Sequence, residues 1–488
     1  MKLKDLLEEI SVLQFIGNRD EEIQGISYSS KTVRPGYLFA ALKGEKSDGF
    51  NFTGEALTNG AAAVLSDRPM PADFKKTWIQ VSDARKTLAL CSANFYSHPS
   101  KKMKIIGVTG TKGKTTITYL LEEIIKTAGF HPGVIGTISY RWPSMKIPAV
   151  RTTPEAPDLH KMLRKMLDHG TSHCVMEVSS HSLELKRVDG INFDVVVFSN
   201  LSGEHLDYHH SMEKYFQAKK RLFFLNRGKG TAIINNDDPW GKKLISQLND
   251  HVLTYGFEYP ALIRVEKYDF NEKGIKASIK HPEGNISVTS PLLGKPNLYN
   301  ILASISSALT LNIPVPAIEE GLISLQGVPG RFEKIKNQLG LNIFVDYAHT
   351  DDALKNLLET ARELNPRKII LVFGAGGDRD KTKRARMGKI AGTLADWTIL
   401  TSDNPRSEDP QVIISNIEEG IKKTGSNKYE IQADREKAIK QAISYGKRGD
   451  TILVAGKGHE NYQIIKDKIF PFDDVTVVKK ILKEMEES

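Results

Sequence analysis

Cysteine is almost missing: Cys91 and Cys174 are the only two in 488 residues. They stand far apart, which excludes a disulfide framework and a cysteine zinc site and points to a reducing cytoplasm. No apolar run reaches the roughly eighteen residues of a membrane span, so none is expected. The opening Met1-Lys-Leu-Lys-Asp-Leu-Leu-Glu-Glu-Ile10 carries acidic residues and reads as an amphipathic helix, not a secretion signal. Internal repeats and low-complexity segments are absent. So is any Lys/Arg block interleaved with aromatics; the 68 basic residues are scattered among 59 acidic ones. The net charge of +9 therefore suits small anionic substrates, and no nucleic-acid partner is expected.

What is present begins with Lys104-Ile-Ile-Gly-Val-Thr-Gly-Thr-Lys-Gly-Lys-Thr-Thr116. A β-branched run enters a glycine-rich turn. A helix follows, because Ile117, Leu120, Leu121, Ile124, Ile125 and Ala128 recur at helical spacing and Gly129 stands at the C-terminal cap. Strand, loop and helix start make a phosphate cradle from backbone N–H groups, the helix dipole and the Lys114 ammonium. Thr115 is placed to reach a magnesium ion held by the phosphates. Val108 departs from the strict G-x-x-x-x-G-K-[ST] pattern; the glycines are Gly107, Gly110 and Gly113. The expected ligand is a nucleoside triphosphate.

The length suits about three domains, and a 40% hydrophobic share supports proper cores. Residues 1–100 read as a small mixed α/β domain, with strands at Ile23–Tyr28 and Tyr37–Leu42. Its loops Ser29-Ser30-Lys31 and Gly44–Gly49 are small, polar and basic, fitting either a binding lip or plain turn chemistry. Residues 101–331 alternate strand and helix; His173–Val178 and Phe193–Phe198 are near-continuous apolar runs of buried parallel strands. The stretch from Leu253 to Val288 reads as β-hairpins turning at 271–274 and 282–285. Gly330-Arg331 is a hinge. Residues 332–488 form a second α/β unit with strands Ile343–Asp346, Ile369–Phe373, Thr398–Thr401 and Thr451–Ala455.

Ligands of open parallel sheets sit beyond the carboxyl ends of the strands. Those ends carry the unusual chemistry here. Two loops of the central unit are Glu177-Val-Ser-Ser-His181 and Ser199-Asn-Leu-Ser-Gly-Glu-His-Leu-Asp-Tyr-His209. Glu177 and His205 either cap their loops or complete a magnesium shell with Thr115. In the last unit, loops 374–381, 402–410 and 456–460 offer Arg379, Asp403, Asn404, Arg406 and Glu460 to one crevice. Guanidinium forks bind carboxylates and carboxylates bind ammonium, so such a crevice suits a zwitterionic amino acid.

Gly107–Thr116, Glu177-Val-Ser-Ser-His181, His205-Leu-Asp-Tyr-His209, Asp346-Tyr-Ala-His349 and Asp403-Asn-Pro-Arg406 together resemble the Mur ligase family, in the family's order and across all three expected domains. The resemblance implies a small mixed α/β UDP-binding domain, a central mostly parallel ATPase domain and a C-terminal Rossmann-like domain. It implies an ATP-dependent amide ligase of peptidoglycan precursor synthesis that works through an acyl phosphate. Its expected partners are ATP, UDP-MurNAc-L-Ala-D-Glu and meso-diaminopimelate, with Mg2+ as cofactor, and the protein is expected to be a monomer.

Site roles follow from the same resemblance. Gly110, Thr111, Lys112, Gly113, Lys114, Thr115 and Thr116 resemble the ATP phosphate loop. Asn300 resembles an adenine-contacting asparagine; Arg331 and Asp346 resemble residues reaching ATP from the hinge and last domain. Lys114, His205 and Lys219 take the catalytic positions. Thr115, Glu177, His205 and Lys219 take the metal positions, Lys219 as a CO2-derived carbamate. Ser30, Glu45, Lys46 and Ser47 resemble uridine-side contacts, and Thr152, Thr153, Ser179 and Arg187 contacts to the peptidyl and pyrophosphate parts. Arg379, Asp403, Asn404, Pro405, Arg406, Gly456 and Glu460 resemble the amino-acid site, with Asp-Asn-Pro-Arg in the form that selects diaminopimelate. Leu185, Ser29-Ser30-Lys31 and Asp351 depart from the family pattern.

Overall fold

The computed structural model describes residues 1–44, 47–225, 230–248 and 251–486. Glu45 and Lys46 lie outside the described residues. The first sheet has five strands in the spatial order Gln14–Ile16, Thr77–Gln80, Ala61–Ser66, Tyr37–Ala40 and Gly25–Ser27, parallel apart from the first. The helix expected over the opening ten residues is confined to Leu3–Leu6. Leu3 and Leu6 are buried, and Glu9 turns the chain at a φ of 59°.

Lys104–Thr109 lies in the middle of an eleven-stranded sheet, between Val195–Phe198 and His173–Glu177. All three are parallel, as their unbroken apolar runs require. Side chains alternate across the pleat. Ile106 and Val108 join a core with Ile117, Leu121 and Ile124 of helix Lys114–Thr127, while Ile105 joins Leu163 and Met166 of helix Ala156–Asp168. Pro132–Ile135 lies beyond His173–Glu177; Thr231–Asn235 and Val252–Gly256 extend the other side. The winding thus reverses beside Lys104–Thr109, which opens a crevice at the carboxyl ends. The expected hairpins begin at Ile263 rather than Leu253, because Val252–Gly256 pairs parallel with Thr231–Asn235. Ile263–Asn271, Gly274–His281 and Gly284–Ser290 are antiparallel and turn at the expected places.

The third sheet runs Glu333–Ile335, Asn342–Asp346, Thr451–Ala455, Ile369–Phe373, Trp397–Leu400 and Tyr429–Ile431, parallel except for the first. A separate hairpin, Tyr462–Ile465 with Lys468–Pro471, follows it. Arg435 and Asp474, both fully buried, form a two-bond ion pair at 2.7 Å, and Arg435 also donates to the Ala455 carbonyl at 3.0 Å. That pair anchors the strand end from which Gly456 and Glu460 depart. At the hinge, Gly330 has a φ of 63°, and a Cβ there would come within 2.2 Å of the His459 nitrogen. Gly330 is therefore packed against loop 456–460, and its carbonyl accepts from the Tyr347 N–H at 3.0 Å.

Candidate active site

A cavity of about 350 Å³ opens where the carboxyl ends of the central sheet face the last unit. Residues 111–116, Glu177, Ser179, Glu204, His205, Asn300, Arg331 and Asp346 line it. The glycine loop follows its strand without a side chain at two crowded points. A Cβ on Gly110 would meet the Ser199 hydroxyl at 1.9 Å, and one on Gly113 would meet Asn300 Oδ1 at 2.3 Å; both have positive φ, 139° and 88°.

The loop is braced from the neighbouring strand end. Asn200 accepts from the N–H groups of Thr111 (2.8 Å, through its carbonyl) and Lys112 (3.0 Å, through Oδ1). Its amide donates to the Lys112 carbonyl at 3.1 Å, as does the Ser199 hydroxyl at 2.6 Å. Two of the loop's N–H groups are thus committed to Asn200. In its C-terminal half the first N–H groups of helix Lys114–Thr127 have no intrahelical acceptor, a geometry able to take an anion.

Two lysines converge on one carbonyl. Lys114 Nζ donates to Gly110 O at 2.9 Å and to Thr111 O at 2.8 Å; Lys219 Nζ donates to Gly110 O at 2.8 Å. Lys219 is only 1% exposed and stands 4.6 Å above the Tyr215 ring. Burial, then the neighbouring Lys114 charge, holds its amine well below the usual lysine range. Lys114 is also lowered by burial, with Glu177 and Glu204 pulling the other way. A surface lysine on an amphipathic helix would show neither feature.

Thr115 donates to Glu177 Oε1 at 3.0 Å. Glu177, 1% exposed, also accepts from the Thr137 N–H and hydroxyl, each at 2.9 Å, and its main-chain carbonyl accepts from the Thr153 hydroxyl at 2.8 Å. Thr152 reaches the Thr137 hydroxyl at 3.1 Å, so the two threonines frame the carboxylate's strand end. Arg331 donates to the Thr115 hydroxyl at 3.4 Å and lies 4.8 Å over the Tyr347 ring. Asp346 accepts from the Phe332 N–H at 2.6 Å; burial raises its carboxyl, offset by Arg331. His205, at a φ of 57°, stands at the cavity mouth with its ring 4.9 Å from that of His181. Desolvation holds its imidazole below the usual range despite Glu204 beside it. The Thr115 hydroxyl and the Glu177 carboxylate are hard oxygens of the kind that bind magnesium. Among the described residues no group of three or more His, Cys, Asp or Glu forms a self-sufficient metal site.

On the first-unit side, Ser30 donates to Glu55 at 2.7 Å, and Ser47 accepts from the Gly44 N–H at 2.9 Å. Arg187 donates to Thr153 O at 3.1 Å and pairs with Glu155 at 2.8 Å, with its Nε buried and unpartnered. Ser179 caps helix Ser180–Glu184 through the Ser182 N–H. The Tyr28 hydroxyl donates to Asp158 of helix Ala156–Asp168 at 2.8 Å, and Asp83 pairs with Lys186, tying the first unit to the central one.

In the last unit the three loops do meet. Asn404 donates to Glu460 at 2.8 Å; Gly456 lies against Asp403, where a Cβ would come within 2.5 Å of Oδ2. Arg406, at a φ of 51°, donates to Gly377 O at 2.7 Å, and Gly376 lies against both Arg406 and Arg379. Pro405 packs its carbonyl onto Gly377. The Tyr462–Ile465 hairpin ties down this segment: Arg406 N–H donates to Ile464 O at 3.1 Å, Lys466 N–H to Arg406 O at 2.7 Å, and Gln463 to Asp403 O at 2.7 Å. Asn200, Glu204, Thr137, Tyr347, Gln463 and Lys457 escaped the reading of the sequence. Lys457 stands inside a loop quoted for its glycines and glutamate; a lysine flanked by glycines gives no burial signal.

A cavity over a glycine loop, with carboxylate and guanidinium groups gathered at the strand ends of the last unit, accords with an ATP-dependent ligase of the Mur type. The family descriptions agree: the Mur ligase middle domain matches residues 108–308, the glutamate ligase domain 330–458, and the Mur ligase family catalytic domain 22–96. The chain belongs to the Mur ligase family. Among its relatives, the UDP-N-acetylmuramoyl-L-alanyl-D-glutamate–2,6-diaminopimelate ligase of Caldanaerobacter subterraneus is 43% identical over 486 residues, covering 100% of both chains. The enzyme of the same name from Bacillus licheniformis is 41% identical, covering 99% of this chain and all of its own. A solved structure of a ligase with that name superposes with a TM-score of 0.73 at 33% identity over 100% of both chains. The MurF ligase of Thermotoga maritima in complex with ADP, at 22% identity and a TM-score of 0.65, shares the fold; it covers 96% of this chain and all of its own.

Proposed function

We propose that the protein joins meso-diaminopimelate to UDP-MurNAc-L-Ala-D-Glu with ATP, through a γ-glutamyl phosphate, releasing ADP and phosphate. The observation that carries the reading is the pairing of a phosphate cradle, walled by Thr115, Glu177 and Arg331, with a crevice holding both guanidinium and carboxylate groups. Phosphoryl transfer needs alignment and charge neutralisation more than covalent help. Lys114 exchanges two neutral carbonyl acceptors for phosphate oxygens, a stronger charge-assisted pairing. Gly113, Lys114, Thr115 and Thr116 supply N–H donors, Asn300 flanks the loop toward the base, and Arg331 with Asp346 closes the hinge side. Thr115, Glu177 and His205 would hold magnesium. When bound, that ion neutralises charge on the transferring phosphoryl group.

Lys219 acts as a carbamate in this reading. Its burial favours an uncharged amine, the form that adds CO2; the N–C bond forms with loss of one amine proton to solvent, and the product is an anion facing Lys114. We assign the UDP end to Ser30 and Ser47, and the peptidyl end to Thr152, Thr153, Ser179 and Arg187. In the last unit Arg406 takes the distal carboxylate of diaminopimelate; one of its N–H donors goes to Gly377 O, which aims the rest of the fork. Lysine lacks that carboxylate and would leave a guanidinium unpaired, which disfavours it. The test is phosphate release from purified protein. It is expected only with UDP-MurNAc-L-Ala-D-Glu and diaminopimelate together, with lysine a poor substitute. Release with neither, or equal use of lysine, refutes the reading.

A further inference from the structure

Beneath the acid pair of the last unit lies a lysine that the chemistry above does not use. Lys457 is 0% exposed. Its Nζ donates to the Tyr462 carbonyl, to Asn404 Oδ1 at 3.3 Å and pairs with Glu460 Oε2 at 3.5 Å. Asn404 is thereby held at both ends: Oδ1 accepts from Lys457 and from the Ile464 N–H at 2.9 Å, and Nδ2 donates to Glu460 Oε2 at 2.8 Å. Glu460 Oε1 also takes the Tyr347 hydroxyl at 3.5 Å.

We propose that Lys457 is the positioning residue of the amino-acid site: it fixes the Asn404–Glu460 pair and supplies the cation that offsets the repulsion between Glu460 and Asp403, so that both carboxylates face an incoming ammonium. The inference rests on the functional reading above. Charge bookkeeping supports it. Asp403 and Glu460 together carry two negative charges when ionised, and Lys457 is the ammonium in contact with Glu460. Arg435 is already paired with Asp474. Arg406 and Arg379 stand on the other side of the crevice, next to Gly376. Tyr347 and Tyr462 also face Glu460, while Lys383, its ammonium on the His349 carbonyl at 2.9 Å, faces Asp403. Burial and the Asp403 charge push the Glu460 carboxyl above the ordinary glutamate range, and Lys457 with Asn404 pulls it back. Removing the lysine therefore moves Glu460 toward protonation, and a neutral carboxyl does not hold an ammonium.

The test is Lys457→Met, measured as KM for diaminopimelate and for ATP across pH 5.5–8.5. The expected result is a diaminopimelate KM raised about tenfold or more at neutral pH, climbing further as pH falls, while the ATP KM and the wild-type profile stay nearly flat. In the double variant with Glu460→Gln the two effects should merge, equalling Glu460→Gln alone, because one residue acts through the other. A pH-independent loss, or additive losses, overturns the proposal. Lys457→Gln is the second variant, keeping a donor for the Tyr462 carbonyl without the charge. If both variants also lose ATP binding, Lys457 serves folding and the positioning role falls. Wild-type protein that fails to turn over diaminopimelate overturns the functional reading and this inference with it; an active wild type with a flat Lys457→Met profile overturns the inference alone.

Discussion

Asn200→Ala removes the side-chain brace of the glycine loop while leaving every residue of the loop unchanged. The asparagine side chain makes two hydrogen bonds to Lys112, one accepted at 3.0 Å and one donated at 3.1 Å. Each is worth about 0.5–1.5 kcal/mol net, so the truncation should cost about 1–3 kcal/mol. The Thr111 N–H bond to the Asn200 carbonyl, at 2.8 Å, survives the change and limits the damage to the loop's tip. Nucleotide must then reorder the tip on binding. If half or more of the cost falls there, ATP affinity should drop about 2- to 140-fold, taking 1.4 kcal/mol per factor of ten. Calorimetric titration with magnesium and a non-hydrolysable ATP analogue gives that number, and thermal unfolding without nucleotide gives the stability share. Unchanged affinity with a lowered Tm would refute the idea that strand end 199–200 shapes the cradle.

Gly113→Ala should weaken ATP binding more than stability, because the methyl group meets Asn300 Oδ1 and forces a positive-φ alanine costing about 1–2 kcal/mol; equal loss in both titration and melt would contradict this. Lys219→Ala should abolish turnover and regain part of it with short carboxylic acids; no rescue would remove the carbamate assignment. Arg435→Met breaks a fully buried ion pair and should cost about 3–5 kcal/mol in urea unfolding; a smaller loss would mean Asp474 finds another partner. His160 is 0% exposed and burial depresses its imidazole to about 4. The unfolded chain binds its proton at higher pH, so its contribution is complete above about 6.5 and lost as pH falls toward 4. His160→Gln should therefore flatten the decline in Tm over that window, and an unchanged pH–Tm curve would refute it.

The fold was legible wherever an apolar run met a glycine turn. Ile369–Phe373 and Thr451–Ala455 occur as read, and helix Lys114–Thr127 ends one residue before Ala128 with Gly129 at a φ of 83°. The opening helix was over-read because Leu3, Leu6 and Leu7 satisfy helical spacing without needing more than one turn to be buried. Motif residues were legible because their chemistry is local: Lys114 and Thr115 follow the loop by necessity. The braces were not. Asn200, Thr137 and Lys457 are defined by partners 88, 40 and 53 residues away, and only the folded sheet brings them together. Lys219 shows the same limit from the other side. A helix lysine is ordinarily solvated, yet Lys219 lies on the buried face of Met212–Leu225, where Gly110 O gives it an acceptor.

The central claim is that ATP held on the 113–116 turn activates a substrate carboxyl, which then passes to an amine bound by the last unit. The direct measurement uses UDP-MurNAc-L-Ala-D-Glu carrying 18O in the glutamate γ-carboxylate, with mass spectrometry of the phosphate released in the presence of diaminopimelate. One labelled oxygen per phosphate is the predicted result. Phosphate bearing only solvent or ATP oxygen would contradict it.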